Sequence, residues 1–280
     1  MSVILITLIV LGASLGAGFL GALTGLGGGV VIVPFLTIVL GVDIHYAIGA
    51  SLVSVIATSS GAASAYVKEG FSNIRVGMFL EIGTTLGAIA GALLAAVAAP
   101  SVIAVIFGFV LMGSVFSSIR RQDESPNSLA AGPGPMAARL RMDGEYPSRR
   151  GIVRYHVRRI PGGLGLMSVA GILSGLLGIG SGALKVIAMD RVMRIPFKVS
   201  TATSNFMIGV TAASSAGIYL HRGYIDPGLT MPVMLGVLAG SVFGTRVLVK
   251  ARTRWLRWLF AAVIFILGAE MIFNGFTGRI

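Results

Sequence analysis

Ser200, Thr201, Thr203, Ser204 and Asn205 place five hydrogen-bonding side chains within six residues of an otherwise apolar stretch. Serine and threonine hydroxyls are readily silenced in a helix by the carbonyl four residues back. The carboxamide of Asn205 is not hidden so easily, and it serves either to contact a ligand or to bind a neighbouring helix. Upstream, Lys185 follows the glycine run 178–182, with Gly180, Ser181 and Gly182, by three residues. A cation in the first turn of a helix opposes the helix dipole, and an anion bound beside it would relieve that cost. The alternative is that Lys185 snorkels to the cytoplasmic interface beside Arg191 and Arg194. A second run at 25–29 holds Gly27, Gly28 and Gly29. Alternate glycines permit a tight turn and a close approach of substrate, and amides at a helix start attract negative charge. The same glycines would also serve plain helix packing. Glu81 is either a proton carrier within the membrane or a side chain near the headgroups, six residues from Arg75.

These groups have the chemistry to replace the water shell of a small anion: amides, hydroxyls, a carboxamide and a cation. They offer little to catalysis. Ser181 with His221 is the nucleophile and base pair to weigh, but it needs hydrogen-bond contact between a loop tip and the outer interface. His45 and His156 stand apart without a metal-ligand spacing, and the absence of cysteine removes thiolate chemistry. Asp43, His45 and Glu270 fall near helix ends and read as interfacial. No cofactor, metal or nucleotide loop is expected, and the chain is not read as an enzyme.

Such groups need an apolar frame. Of the 280 residues, 55% are hydrophobic and 11% charged, where soluble domains carry about a quarter charged residues. Residues 1–67 hold a single charged side chain, Asp43, and several later windows are long and apolar enough to cross a bilayer. The expected class is an all-α polytopic membrane protein. The net charge of +12 does not point to nucleic acid, because nine of the 22 Lys and Arg lie between Arg120 and Arg159 and most others sit at the ends of apolar segments. That is how cytoplasmic loops look.

A shift of 153 residues superposes the two glycine runs and pairs nine glycines in all, including Gly83, Gly87 and Gly91 with Gly236, Gly240 and Gly244. Chance would pair about 2.4. Ser51 falls on Ser204, whereas Asn205 and Lys185 fall on the apolar Leu52 and Ile32. The chain is therefore expected to hold a first repeat at 1–119, an Arg-rich cytoplasmic linker at 120–160 and a second repeat at 161–280. Each repeat is a glycine-tipped helical hairpin plus three transmembrane helices, about 8 to 10 membrane helices by segment. The GxxxGxxxG sets are read as helix packing. Three crossings after a hairpin that returns to its own side make the second repeat inverted. With the termini outside, 20 of the 22 Lys and Arg fall on inside segments. The linker is expected to be largely irregular, with residues 149–159 forming a basic surface helix or a solvated tether.

The strings GLGGGVVIVPFL, HYAIGASL, RGYID and IPFKVSTATSNFMIGVTAA resemble the TauE/SafE sulfite exporter family of bacterial membrane transporters. The resemblance covers both repeats, and the Arg-rich linker departs from it. It implies alternating-access export of sulfite, sulfoacetate or other organosulfonates from a prokaryotic inner membrane. The substrate-binding candidates are Gly27, Gly28, Gly29, Ser51, Gly180, Ser181, Gly182, Lys185, Thr203, Ser204 and Asn205, with Glu81 for proton coupling. Expected partners are the small anion, anionic lipid at the linker and a second copy in a homodimer, with no nucleic acid. An anion channel shares all these static features.

Overall fold

The structure, a computed structural model, describes residues 3–24, 28–68, 72–119, 135–148, 151–248 and 253–278. Eleven helices and one hairpin follow in the order α1 (Val3–Thr24), α2 (Gly29–Pro34), α3 (Ile44–Lys68), α4 (Ile74–Ala95), α5 (Pro100–Ile119), α6 (Pro135–Arg139), β1 (Gly144–Ser148), β2 (Gly151–Tyr155), α7 (Ile160–Leu177), α8 (Gly182–Ile187), α9 (Phe197–His221), α10 (Pro227–Leu248) and α11 (Thr253–Thr277). Windows in α1, α4 and α7 meet the length and apolarity of a membrane span among the described residues. Large apolar side chains face outward along the helices, among them Ile4, Leu8, Met78, Leu86, Phe265 and Phe273. Such a belt suits lipid rather than water.

Local chemistry sets the boundaries. Pro100 and Pro227 open α5 and α10, where a missing amide hydrogen costs nothing. Asn73 caps α4 by accepting from the Val76 amide at 3.0 Å. Helix α2 runs six residues and widens into a π turn at Phe35–Val39, and α8 does the same into Ala188–Val192. At about 1.5 Å per residue neither crosses a bilayer. The bounds of α2, its π turn, α3 and α4 plus 153 give those of α8, its π turn, α9 and α10, residue for residue.

Packing keeps the same shift. Helix α1 packs on α10 and α4 on α7, both pairs parallel, while α5 and α11 run antiparallel with Gly108 beside Gly268 and Gly275 beside Ser101. Gly18 abuts Val237 as Gly171 abuts Thr84, and Gly240 abuts Leu15 as Gly87 abuts Ser168. Each is backbone against backbone, the close approach that small residues allow between membrane helices. The GxxxGxxxG residues Gly83, Gly87, Gly91, Gly236 and Gly240 all lie on these seams.

The linker departs from expectation. Residues 151–155 form a strand, antiparallel to β1, with Gly144 opposite Tyr155 and Pro147 opposite Ile152. The segment alternates like a strand: Ile152 and Arg154 face out, whereas Tyr155 and Val157 are buried. Arg154 pairs with Glu145 across the hairpin at 3.5 Å, so the four-residue arginine spacing marks no helix face. The hairpin is seated on the bundle by Asn73, whose Nδ2 donates to Tyr155 Oη at 2.7 Å and to the Met142 carbonyl at 3.0 Å. Burial pushes the Tyr155 phenol up to about 12.

Candidate functional site

The second glycine run ends α7 at Gly178, whose amide donates to the Ser174 carbonyl at 2.8 Å. Gly178, Gly180 and Ser181 all have positive φ, at 68°, 69° and 45°. A serine there is strained, and such strain gathers at functional positions. Its hydroxyl is buried without a partner among the described residues. Gly180 fits against Ile208 of α9 and Val55 of α3, where any side chain would intrude. The first run is described only from Gly28, so Gly27 lies outside the described residues. Gly28 has ordinary helical dihedrals, φ −68° and ψ −23°, and packs on Val237 of α10.

The two runs meet. Gly29 sits against Ser51 and the Gly178 carbonyl, and Ser51 Oγ donates to that carbonyl at 2.7 Å. Its counterpart Ser204 donates to the Gly182 carbonyl at 3.2 Å. The two serines thus spend their protons on loop backbone. Thr203 Oγ1 accepts from the Asn73 amide at 3.0 Å and ties the loop region to the seat of the hairpin. Ser200 donates to the Ile195 carbonyl at 3.1 Å, and Thr201 Oγ1 is buried and unpartnered. Asn205 is partly exposed and makes no hydrogen bond among the described residues.

Lys185 is fully buried, so it does not snorkel to an interface. Its ammonium donates to Thr211 Oγ1 at 2.5 Å, and Thr211 donates to Glu81 Oε1 at 2.6 Å. Glu81 is 8% exposed, packed within the helix bundle. Ammonium and carboxylate do not touch directly; the hydroxyl stands between them. Sequence reasoning named both charges but not their link. Thr211 is seven residues past Ser204 and so shares its helix face, the signal that would have found it. At the other end of α3 and α9, His45 is buried, stacked on Tyr224 at 4.9 Å with Nε2 3.0 Å from the Ala95 carbonyl. Ser181 and His221 do not form a pair, since His221 is exposed at the end of α9 while Ser181 is buried.

The arrangement offers charge and hydrogen bonding in an apolar bundle, which is the equipment of solute passage. A model of the sulfite exporter TauE/SafE family matches residues 10–271. The chain belongs to the sulfite exporter TauE/SafE family. It is also similar to the probable membrane transporter protein YunE of Bacillus subtilis (strain 168), 28% identical over 96% of this chain and 98% of the relative. A second similar protein, the probable membrane transporter protein YdhB of the same organism, is 24% identical over 82% and 83%. No solved structure matches. This TauE/SafE chain is a multi-pass membrane transporter of mainly helical build.

Proposed function

We propose that the chain is a secondary transporter that exports small sulfur-containing anions, sulfite, sulfoacetate or other organosulfonates, by alternating access between two inverted repeats. The observation that carries the reading is Lys185: a fully buried cation one turn from the strained, unpartnered Ser181 of the loop. A cation at that depth is costly, and intramembrane charges of this kind mark substrate pathways. The family and the names of its relatives support transport. The sulfur chemistry rests on the family's description alone. The matching helix bounds and the antiparallel α5 and α11 support inverted repeats, because helices exchanged by a two-fold axis run antiparallel when the axis crosses them. The anion meets Lys185, the Ser181 hydroxyl and the glycine backbone, with Asn205 as a further donor. Ser51 and Ser204 act one step back by holding the loop, and Thr203 by joining α9 to Asn73.

Thermal stabilisation of purified protein by sulfite, sulfoacetate, taurine, sulfate and acetate tests the substrate class. A shift with the sulfur anions that Lys185→Met abolishes is expected; stabilisation by none of them removes the sulfur reading. Single cysteines at Ser2, Ser128 and Thr277, probed by an impermeant reagent on intact cells, test orientation. Labelling at 2 and 277 but not 128 is expected for external termini and a cytoplasmic linker.

A further inference from the structure

The Thr211 bridge between Lys185 and Glu81 accommodates two protonation states of the carboxyl group. Thr211 Oγ1 has one proton to give and two acceptors in reach, Glu81 Oε1 at 2.6 Å and the Met207 carbonyl at 2.9 Å. With Glu81 ionised, the hydroxyl accepts from Lys185 and donates to the carboxylate. With Glu81 protonated, the carboxyl O–H donates to Thr211, whose own proton turns to Met207. Glu81 Oε2 is buried and unpartnered among the described residues, and Thr85 Oγ1 stands 3.3 Å from Oε1. Of the titratable groups on the elements packed around Glu81, Lys185 of α8 faces it. Arg75, Arg159, Lys198 and His221 stand at the ends of α4, α7 and α9, and Asp190, Arg191 and Arg194 lie in or beside the turn after α8.

We propose that Glu81 and the transported anion are alternative partners of Lys185, so that each singly charged anion crosses together with one proton. This rests on the anion-transport reading above and names its coupling ion. The empty site holds one ammonium and one carboxylate. The loaded site holds the ammonium, a neutral carboxylic acid and the anion. Both are electrically neutral, whereas an anion beside an ionised Glu81 would bury a net negative charge, which a low-dielectric core penalises heavily. The proton passes from water on the loading side to the Glu81 carboxyl and returns to water on the release side. Flux then follows the sum of the anion and pH gradients, and the membrane potential does not enter.

The test uses the full chain in proteoliposomes with a pH dye inside and the potential clamped by potassium and valinomycin. The probes are isethionate, a sulfonate with one charge and no titration near neutral pH, together with chloride and nitrate; protein-free vesicles are the blank. Inward isethionate should acidify the lumen by one proton per anion at every clamped potential. Glu81→Gln should keep isethionate exchange while net uptake and acidification fall at least about tenfold, since the empty carrier would return with an unpaired charge. Thr211→Ser should keep the coupling and Thr211→Val should lose it. Isethionate uptake that follows the potential and carries no proton overturns the proposal and leaves sulfur-anion transport standing. Proton-coupled nitrate or chloride uptake without isethionate uptake keeps the coupling and overturns the substrate class. The wild-type proton count decides even where a variant fails to fold.

Discussion

Ile32, Thr58 and Met234 stand one shift of 153 residues from Lys185, Thr211 and Glu81, on helices with the same bounds. In the first half Ile32 is fully buried among apolar neighbours, and Thr58 returns its proton to the Ser54 or Val55 carbonyl, at 3.0 and 3.2 Å. The equivalent hydroxyl, Thr211, instead bridges Lys185 of the second half to Glu81 of the first. The scaffold therefore packs without those charges at one place and carries them at the other. Buried ion pairs are weak evidence for stability, and the shift-related positions Ile32 and Met234 hold apolar residues instead. The difference teaches that architecture and charge placement are separable in this fold.

The strongest way to break that comparison is to copy one half onto the other. Lys185→Ile alone should abolish transport and cost about 3–5 kcal/mol, because it leaves Glu81 buried and uncompensated. Adding Glu81→Met reproduces the residue types of the shift-related positions Ile32, Thr58 and Met234, and melting of the purified protein should return to wild type or above while transport stays at zero. Transport in the double variant would show that the charges are incidental. Next in size are the glycines. Gly180→Leu should stop transport, since its φ of 69° and an Ile208 methyl 2.9 Å from where a Cβ would stand leave no room for a side chain. Gly87→Ala should lower the melting temperature through a clash with the Ser168 backbone, costing about 1–3 kcal/mol, whereas Gly165→Ala, with open space around it, should not.

Smaller effects sharpen the comparison. Ser51→Ala and Ser204→Ala each remove one bond to a loop carbonyl and should cost about 0.5–1.5 kcal/mol. Calorimetry with the transported anion should show similar losses for both; a loss confined to Ser204→Ala would make it a direct ligand contact. The smallest effect lies outside the membrane. Tyr155 is raised from 10.0 to about 12 by burial, and Asp143 adds to the rise while the Asn73 hydrogen bond opposes it. Its neutral form therefore stabilises the seated hairpin below pH 10, and that contribution is lost as pH rises through about 12. Hydrogen exchange across β1 and β2 should loosen over that window, and Tyr155→Phe should remove the transition.

Much of the fold was legible because its signals are local. Glycine positions and the lengths of apolar runs located helices α1 to α5 and α7 to α11 and the shift between them. The linker was misread for a local reason too: RYHV alternates as a strand, but arginines four apart suggested a helix, and only the partner strand at Gly144–Ser148 decides between them. The site was legible as a set of residue types and not as a set of contacts. Ser200, Thr203 and Ser204 looked like ligand donors, yet Ser200 and Ser204 donate to backbone carbonyls and Thr203 accepts from the Asn73 amide.

By itself the sequence determined that this chain lies in a membrane, that its glycines recur at a shift of 153 residues and that a lysine follows the second glycine run and not the first. Composition and spacing suffice for that, since a bilayer selects apolar length and a turn selects glycine regardless of what packs beside them. The tertiary structure decided that Lys185 turns inward, that Thr211 stands 26 residues from Lys185 and 130 from Glu81 yet bonds to both, and that Asn73 joins the hairpin to Thr203. Those contacts depend on how α4, α8 and α9 are rotated about their axes against one another, and helix rotation is set by the whole packed interface rather than by any stretch of chain.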